Sequence, residues 1–192
     1  MNWLAHLRLS PNEPLVRLGN LAGDFVRGVE LATLPEAVQR GIRLHRTIDR
    51  FVDADAVVRA AKGRFPLPLR RFAGVLLDVY FDHFLARDWA QHGDGGSLRA
   101  FAAAVQRELE QHVHVLPRPL REAAPYLRRH EWLVEYRTVD GIELVLQRMA
   151  RRVRRPTPLG TGANELRAHY CEFEADFAQL WPRLLLFASE TS

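Results

Sequence analysis

The sequence of 192 residues has few of the features that mark secreted and membrane proteins. Its single cysteine, Cys171, excludes a scaffold held together by internal disulfides. No apolar run approaches the roughly 18 residues that a membrane-spanning helix needs. The segment MNWLAHLRLS has neither the charged start nor the small-residue cleavage site of a secretory signal. We therefore expect a cytoplasmic protein without a membrane partner.

The sequence also has little lysine and only a small net charge. Lys62 is the only lysine, so arginine supplies nearly all of the positive charge, and the formal net charge is only +4. This mild basic excess is compatible with an acidic protein, a nucleic acid or a phosphate ester as partner, and it does not choose among them. The basic residues are dispersed rather than gathered on one face with interleaved aromatic residues, which argues against nucleic-acid binding.

Signals for β-structure are missing as well, since no segment alternates apolar and polar residues and no hairpin turn lies between strand-like runs. Clusters of proline and glycine divide the chain into helical segments. The sequence therefore predicts an all-α protein with one domain over residues 1–192. The predicted helices lie near 13–28, 35–52, 54–63, 68–92, 97–115, 119–129, 138–153 and 162–188.

Two ionisable residues fall on the apolar face of the predicted helix 35–52. His45 and Asp49 share this face because steps of three and four residues return to one side of a helix. Burying an ionised carboxylate is costly unless it is paired or coordinated. A buried hydrogen bond between the two side chains and a metal site both explain them, and this helix alone does not decide. The other residues of the face are Val38, Ile42, Ile48 and Val52.

A second acidic pair lies in residues 75–89, whose sequence VLLDVYFDHFLARDW is apolar nearly all round and predicts a central, buried helix. Asp78 and Asp82 are four residues apart in it, and His83 follows. Like charges at this spacing repel, and burial increases the repulsion unless a cation or an arginine lies between them. An arginine partner would explain the pair. Two helices with inward acidic and imidazole groups favour a shared metal site instead, and these ligands suit manganese, iron or zinc.

Two further segments carry weaker signals. The segment GNLAGDFVRG, residues 19–28, has three glycines that predict a broken helix or a close approach of two backbones. Asp24 lies among these glycines, where a capping aspartate is a commoner role than a metal ligand. His6 is a lone histidine in an apolar segment, for which a hydrogen bond in the core is the commoner role.

Several segments together resemble the acyl carrier protein phosphodiesterases, also called holo-acyl-carrier-protein hydrolases. They are MNWLAHLRL, GNLAGDFVRG, GIRLHRTIDRF, LDVYFDHFL, EWLVEYR and AHYCEFEADFAQLWPRL, and they span almost the whole chain in the expected order. The resemblance implies an all-helical, manganese-dependent hydrolase, distantly related to the His-Asp metal phosphohydrolases. Its reaction removes 4′-phosphopantetheine from the serine of holo acyl carrier protein and leaves the apo carrier. The adjacent His-Asp doublet typical of that superfamily is absent, and the chain has His45-x-x-x-Asp49 and the reversed pair Asp82-His83.

The resemblance also implies a set of site residues. The implied metal ligands are Asp24, His45, Asp49, Asp78 and Asp82. The implied catalytic residues are Asp24, His45, Asp49, Asp78, His83 and His6, of which His83 or His6 would protonate the leaving serine oxygen. Arg27 and Arg46 would bind the substrate phosphate. The implied cofactor is Mn²⁺, with Mg²⁺, Fe²⁺ or Zn²⁺ as alternatives, and the partner is the acidic holo carrier.

Two other functions are compatible with the same residues. A His-Asp-type phosphohydrolase acting on a nucleotide or another small phosphodiester would use the same metal site but no protein-docking face. A non-enzymatic helical protein that binds nucleic acid or an acidic partner would instead have Asp78 and Asp82 as core acids paired with arginine. Metal analysis of the purified protein separates this non-enzymatic alternative from the two enzymes, because only the enzymes require a bound metal.

A carrier-binding enzyme also needs a docking surface. The candidate docking residues are Arg43, Arg50, Arg70, Arg71 and the RRVRR segment 151–155.

Overall fold

A computed structural model describes residues 1–129, 132–153 and 155–191, and within these ranges all regular structure is helical. The all-α prediction is confirmed. The α-helices are α1 Trp3–Arg8, α2 Pro14–Ala22, α3 Glu36–Ala54, α4 Ala56–Lys62, α5 Leu67–Arg70, α6 Ala73–Arg87, α7 Trp89–His92, α8 Leu98–His112, α9 Arg118–Arg129, α10 Val139–Arg152, α11 Ala163–Ala168 and α12 Tyr170–Thr191. Short 3-10 helices lie at Gly23–Phe25, Leu31–Thr33, Val113–Val115, Glu135–Arg137 and Pro158–Thr161.

Helix α6 is the central element, as its apolar sequence predicts. Every side chain in residues 79–86 is buried. The helix packs against α1, α4, α10 and α12. A continuous set of buried apolar side chains extends from Met1 to Ala188 around it. No helix of the described residues is both long enough and apolar enough to cross a membrane.

Helices α2 and α3 pack with their backbones in contact. A Cβ atom on Gly19 would lie 2.3 Å from the carbonyl oxygen of Val38, and one on Gly41 would lie 2.1 Å from that of Val16. Real Cβ atoms essentially never come within 3.0 Å of another heavy atom, so only glycine fits at either position. The predicted close backbone approach is confirmed, and it brings the end of α2 against the middle of α3.

Several predicted boundaries are wrong. Helix α1 was not predicted, although its buried face carries His6. The predicted helix 13–28 ends at Ala22, where the chain tightens into a 3-10 turn. The predicted helix 68–92 is three helices, because the backbone leaves helical geometry at Phe72 and at Asp88. The segment 162–188 is likewise divided at His169. Glu131 of EWLVEYR and Arg154 of RRVRR lie outside the described residues.

Candidate metal and active site

Two helices bring two imidazoles and one carboxylate together. Helix α1 carries His6, and α3 carries both His45 and Asp49. The Nε2 atom of His6 lies 3.2 Å from Asp49 Oδ1, and the Nε2 atom of His45 lies 3.1 Å from Asp49 Oδ2. One ligand atom from each residue lies within 4.8 Å of the other two. The Asp49 carboxylate therefore lies between two imidazole nitrogens, and we call these three residues the His-His-Asp cluster.

Asn20 of α2 fixes the orientation of both imidazoles. Its backbone oxygen lies 2.8 Å from His45 Nδ1, and its side-chain Oδ1 lies 2.9 Å from His6 Nδ1. The Asn20 Nδ2 donates to the His6 backbone oxygen at 2.8 Å and to Ser10 Oγ at 2.9 Å, so Oδ1 is the accepting atom. Both Nδ1 atoms therefore donate a proton. When the rings are neutral, this tautomer directs each Nε2 lone pair at the cluster, where it can bind a metal ion. Without an ion, the Nε2 atoms can instead carry the protons that are donated to Asp49.

Gly23 provides the space for the second imidazole. A Cβ atom at this position would lie 2.2 Å from Cγ of the His45 ring, inside the ring's van der Waals surface. Neither Asn20 nor Gly23 was predicted as a site residue. Both lie in the segment GNLAGDFVRG, whose glycines predicted only a close approach or a broken helix. A sequence alone does not reveal which side chain faces such a glycine.

The charges of the cluster are strongly coupled. Burial opposes the charge on His45, but the hydrogen bonds that its ring donates to the Asp24 and Asp49 carboxylates outweigh burial and raise the His45 pKa to about 9. Burial also lowers the pKa of His6, and the adjacent positive charge of His45 lowers it further. Although burial opposes ionisation of Asp49, hydrogen bonds from His45 and His6 hold its pKa well below the usual range. Asp49 is thus an ionised carboxylate at neutral pH.

Asp24 and Asp78 lie at the edge of the cluster. Asp24 is half-exposed, with Oδ1 3.5 Å from His45 Nε2 and Oδ2 accepting the indole N–H of Trp3 at 2.9 Å. Asp78 Oδ1 lies 2.9 Å from the amino nitrogen of Met1, which is itself 3.6 Å from Asp49 Oδ1. In the described part of the chain no arginine contacts Asp78. The alternative in which an arginine pairs with Asp78 therefore does not hold for these residues.

Asp82 and His83 lie apart from the cluster. Asp82 is fully buried, and its Oδ2 and Oδ1 accept the backbone N–H groups of Leu4 at 2.7 Å and Ala5 at 3.1 Å. It thus caps helix α1, which carries His6. His83 contacts the Tyr136 carbonyl oxygen through Nδ1 and the Tyr170 hydroxyl through Nε2, both at 2.8 Å. The metal-ligand role of Asp82 and the catalytic role of His83 stay predictions.

A divalent cation fits the donors of the His-His-Asp cluster. Two imidazole nitrogens and a carboxylate suit manganese, iron or zinc, and Asp24 and Asp78 offer further oxygen atoms close by. The ligand histidines of metal sites commonly donate their other ring N–H to an oxygen, as both do here to Asn20. His6 had a core hydrogen bond as its commoner expected role, and the resemblance implied a catalytic role in or near the metal shell. The geometry makes it a candidate ligand together with His45 and Asp49.

The two arginines predicted to bind phosphate lie near this cluster in the chain. Arg46 follows His45 on α3, and Arg27 lies three residues beyond Asp24. Both side chains are exposed, and within the described ranges neither forms an ion pair. Of the other predicted docking residues, Arg43 is paired with Glu36, and Arg71 lies over the ring of Phe72.

Comparisons with known proteins place the chain in a family. Residues 1–184 match the family model described as acyl carrier protein phosphodiesterase. A protein of that name from Photorhabdus laumondii subsp. laumondii is 36% identical over 185 residues, covering 96% of this chain and 93% of the relative. One from Shigella boydii is 38% identical over 189 residues, covering 98% of both chains. No solved structure is significantly similar. The chain belongs to the acyl carrier protein phosphodiesterase family.

Proposed function

We propose that this protein hydrolyses the phosphodiester bond between 4′-phosphopantetheine and the serine of holo acyl carrier protein. The observation that carries the proposal is the meeting of His6, His45 and Asp49 in a chain whose family is named for this activity. Water adds to phosphorus while the bond to the serine oxygen breaks, and that oxygen takes up a proton. The products are the apo carrier and 4′-phosphopantetheine.

Each residue of the cluster has a role in this proposal. His6, His45 and Asp49 hold a divalent ion, for which Mn²⁺ is the first choice. The bound ion supplies positive charge that polarises a phosphoryl oxygen and lowers the pKa of water. Burial raises the pKa of Asp24, but the hydrogen bond that it accepts from His45 outweighs burial and lowers this pKa. Asp24 is therefore an ionised acceptor that orients the attacking water. Asp78 offers a further oxygen to the ion.

The substrate phosphate and the acidic carrier require positive charge outside the cluster. Arg27 and Arg46 are exposed and unpaired in the described part of the chain, so their guanidinium groups are free to bind an anion. We propose that they bind the phosphate and the adjoining acidic surface of the carrier. We also propose that the protein acts in the cytoplasm, because the free thiol of Cys171 is exposed and such thiols are typical of reducing compartments.

The direct test is the mass of the carrier after incubation with the protein. The protein is first stripped of metal with a chelator and then incubated with holo carrier, with and without Mn²⁺. We expect the carrier to lose the phosphopantetheinyl mass only when Mn²⁺ is present. The variant Asp49→Asn should abolish this loss, whereas Asp53→Asn, an exposed change one turn further along α3, should not.

Three other results would each count against one part of the proposal. A holo carrier of unchanged mass in the presence of Mn²⁺ would reject the activity. Equal loss of mass in the stripped protein without metal would reject the metal requirement. Hydrolysis of nucleotides or small phosphodiesters without hydrolysis of the holo carrier would favour the alternative phosphohydrolase.

A further inference from the structure

A concave apolar cavity lies beside the His-His-Asp cluster, on the other side of Trp3. Its volume is about 250 Å³, and it opens to solvent. Its walls come from α1, α9, α10 and the 3-10 helix Glu135–Arg137, together with the segment before that helix. The side chains that form these walls include Trp3, Tyr126, Trp132, Tyr136, Val145 and Met149.

Trp3 is a wall shared by the cavity and the cluster. Its indole N–H donates to Asp24 Oδ2 at 2.9 Å, while its rings line the cavity. The ring is held on two sides, because it stacks on Phe25 with centroids 5.7 Å apart and meets Trp132 edge-to-face at 5.2 Å. A substrate that has its phosphate at the cluster therefore passes this indole on its way into the cavity.

The cavity also holds a small number of polar groups. Asn2 donates to the Tyr136 hydroxyl through Nδ2 at 2.6 Å, which leaves its side-chain oxygen as an acceptor. At the rim, Arg148 is paired with Glu135. Mostly apolar walls with a few fixed polar groups are typical of sites for organic ligands, whereas a solvent-facing surface without function rarely gathers so many aromatic side chains.

We propose that this cavity binds the pantetheine arm of the substrate. The inference rests on the proposed function, and it assigns a part of the substrate to a part of the protein. From the phosphate outwards, the arm has a methylene, a carbon that bears two methyl groups, a carbon that bears a hydroxyl, and two amides separated by a short methylene segment. A second methylene segment carries a thiol at the far end. The methyl groups pack on Trp3, the methylene segments lie along Val145 and Met149, and the amides reach Asn2 and the Glu135–Arg148 pair.

A cavity that binds the pantetheine arm explains how the protein would select a substrate that carries this arm. Apolar contacts with the arm are available only to a diester that carries it, so a small diester gains nothing from the cavity. Binding energy from a part of the substrate remote from the reacting bond also fixes the reacting bond in place. The cavity is therefore expected to raise kcat/KM for the holo carrier over that for a simple phosphodiester.

The test uses two neighbouring substitutions on α10. Val145→Phe adds a ring inside the cavity, whereas Leu144→Phe adds the same ring to a side chain that is 48% exposed and outside the cavity. Binding of pantetheine, which lacks the phosphate and so does not depend on the metal cluster, is measured by calorimetry and by indole fluorescence. We expect Val145→Phe to weaken pantetheine binding about tenfold or more, and Leu144→Phe to bind as the wild type does.

A kinetic readout accompanies the binding experiment. The ratio of kcat/KM for holo carrier to kcat/KM for bis(p-nitrophenyl) phosphate should fall about tenfold in Val145→Phe and keep its wild-type value in Leu144→Phe. Circular dichroism and thermal unfolding of both variants show whether each has folded. Should Val145→Phe fail to fold, Met149→Phe fills the same cavity from the next turn of α10 and replaces it.

The outcomes separate this inference from the proposed function. Wild-type protein that does not bind pantetheine, or equal binding by Val145→Phe, overturns the cavity assignment even when the holo carrier is hydrolysed. Wild-type protein that binds pantetheine but leaves the holo carrier intact rejects the proposed function and retains the cavity as a pantetheine site. An unrelated apolar compound that displaces pantetheine from the cavity and binds there as tightly as pantetheine would also overturn the assignment.

Discussion

The imidazole rings of His6 and His45 stack with their centroids 3.9 Å apart and their planes 17° apart, and one residue, Asn20, contacts the Nδ1 atom of both. Two positive charges at this separation repel strongly, so a second proton is opposed on the pair. The stack therefore favours neutral imidazole for at least one ring. It also holds the two Nε2 atoms on the same side, facing Asp49.

Asn20→Ala is expected to weaken metal binding. The change removes the acceptor that holds the Nδ1 proton of His6, so this imidazole is free to adopt the other tautomer. Loss of such a supporting hydrogen bond typically costs about 10- to 100-fold in metal affinity. Calorimetric titration of stripped protein with Mn²⁺ measures the change. Ser10→Ala is the control, because it removes one donor contact of the Asn20 amide and keeps its oxygen in place. Wild-type affinity in Asn20→Ala would contradict the role.

Gly23→Ala is expected to reduce turnover by displacing the His45 ring. The new Cβ atom would lie 2.2 Å from Cγ of His45, so the imidazole has to move by about an ångström from the position in which it contacts Asp49. A displacement of this size in an active site costs about 100-fold in rate. Initial rates on holo carrier measure the effect. Gly96→Ala, in an exposed turn where the nearest contact is 3.5 Å away, should keep most of the activity.

The sequence was sufficient for the parts of the site that depend on helical periodicity. His45 and Asp49 were predicted to share one inward face of a helix, and their Nε2 and Oδ2 atoms are 3.1 Å apart. The same periodicity grouped Asp78 with Asp82, but their surroundings differ. Asp78 is a third exposed and reaches the edge of the cluster, whereas Asp82 is fully buried and caps α1. Which element lies opposite a helix face is decided by tertiary packing, which periodicity does not contain.

The part of the site that the sequence could not supply comes from contacts between distant segments. Asn20 reaches His6 across 14 residues and His45 across 25 residues. From the residues alone His6 was expected to form a core hydrogen bond, because it is a lone histidine in an apolar segment, and the helix α1 that carries it was not predicted. Its N-terminal cap comes instead from Asp82, 78 residues away from Leu4 in the chain. Long-range capping of this kind leaves no local pattern.

Asp82→Asn is expected to destabilise the protein more than it weakens metal binding. The amide replaces one of two accepting oxygens with an N–H group that faces a backbone N–H, so a buried donor of α1 loses its partner. Such a loss costs about 1–3 kcal/mol of unfolding free energy. Urea denaturation measures it, and Asp53→Asn at an exposed ion pair should cost less than about 1 kcal/mol. A loss of Mn²⁺ affinity as large as that of Asp49→Asn would instead support Asp82 as a ligand.

His83 is expected to make stability fall in weak acid. Burial lowers its pKa from the ordinary 6.5, and the nearby charge of Arg87 adds to this. Below pH 6.5 the unfolded chain therefore binds a proton that the folded chain resists, and the free energy of unfolding decreases as the pH falls towards the folded-state pKa. Urea unfolding at a series of pH values measures this slope. His83→Asn should unfold with a shallower acid slope, and an unchanged slope would contradict the buried, neutral imidazole.

Arg27 and Arg46 are expected to raise the affinity for the carrier through charge. Both are exposed and unpaired within the described residues, and an acidic carrier approaching the cluster is attracted by them. Replacing both by alanine should increase KM for holo carrier about tenfold at low salt and much less at high salt, because added ions screen exposed charges. Steady-state kinetics at two ionic strengths measure this difference. The control is the double variant Arg59→Ala/Arg107→Ala, which removes the same net charge at two other exposed arginines that form no ion pair in the described residues. An equal effect of this control would show that net charge, rather than a docking surface at Arg27 and Arg46, governs the encounter.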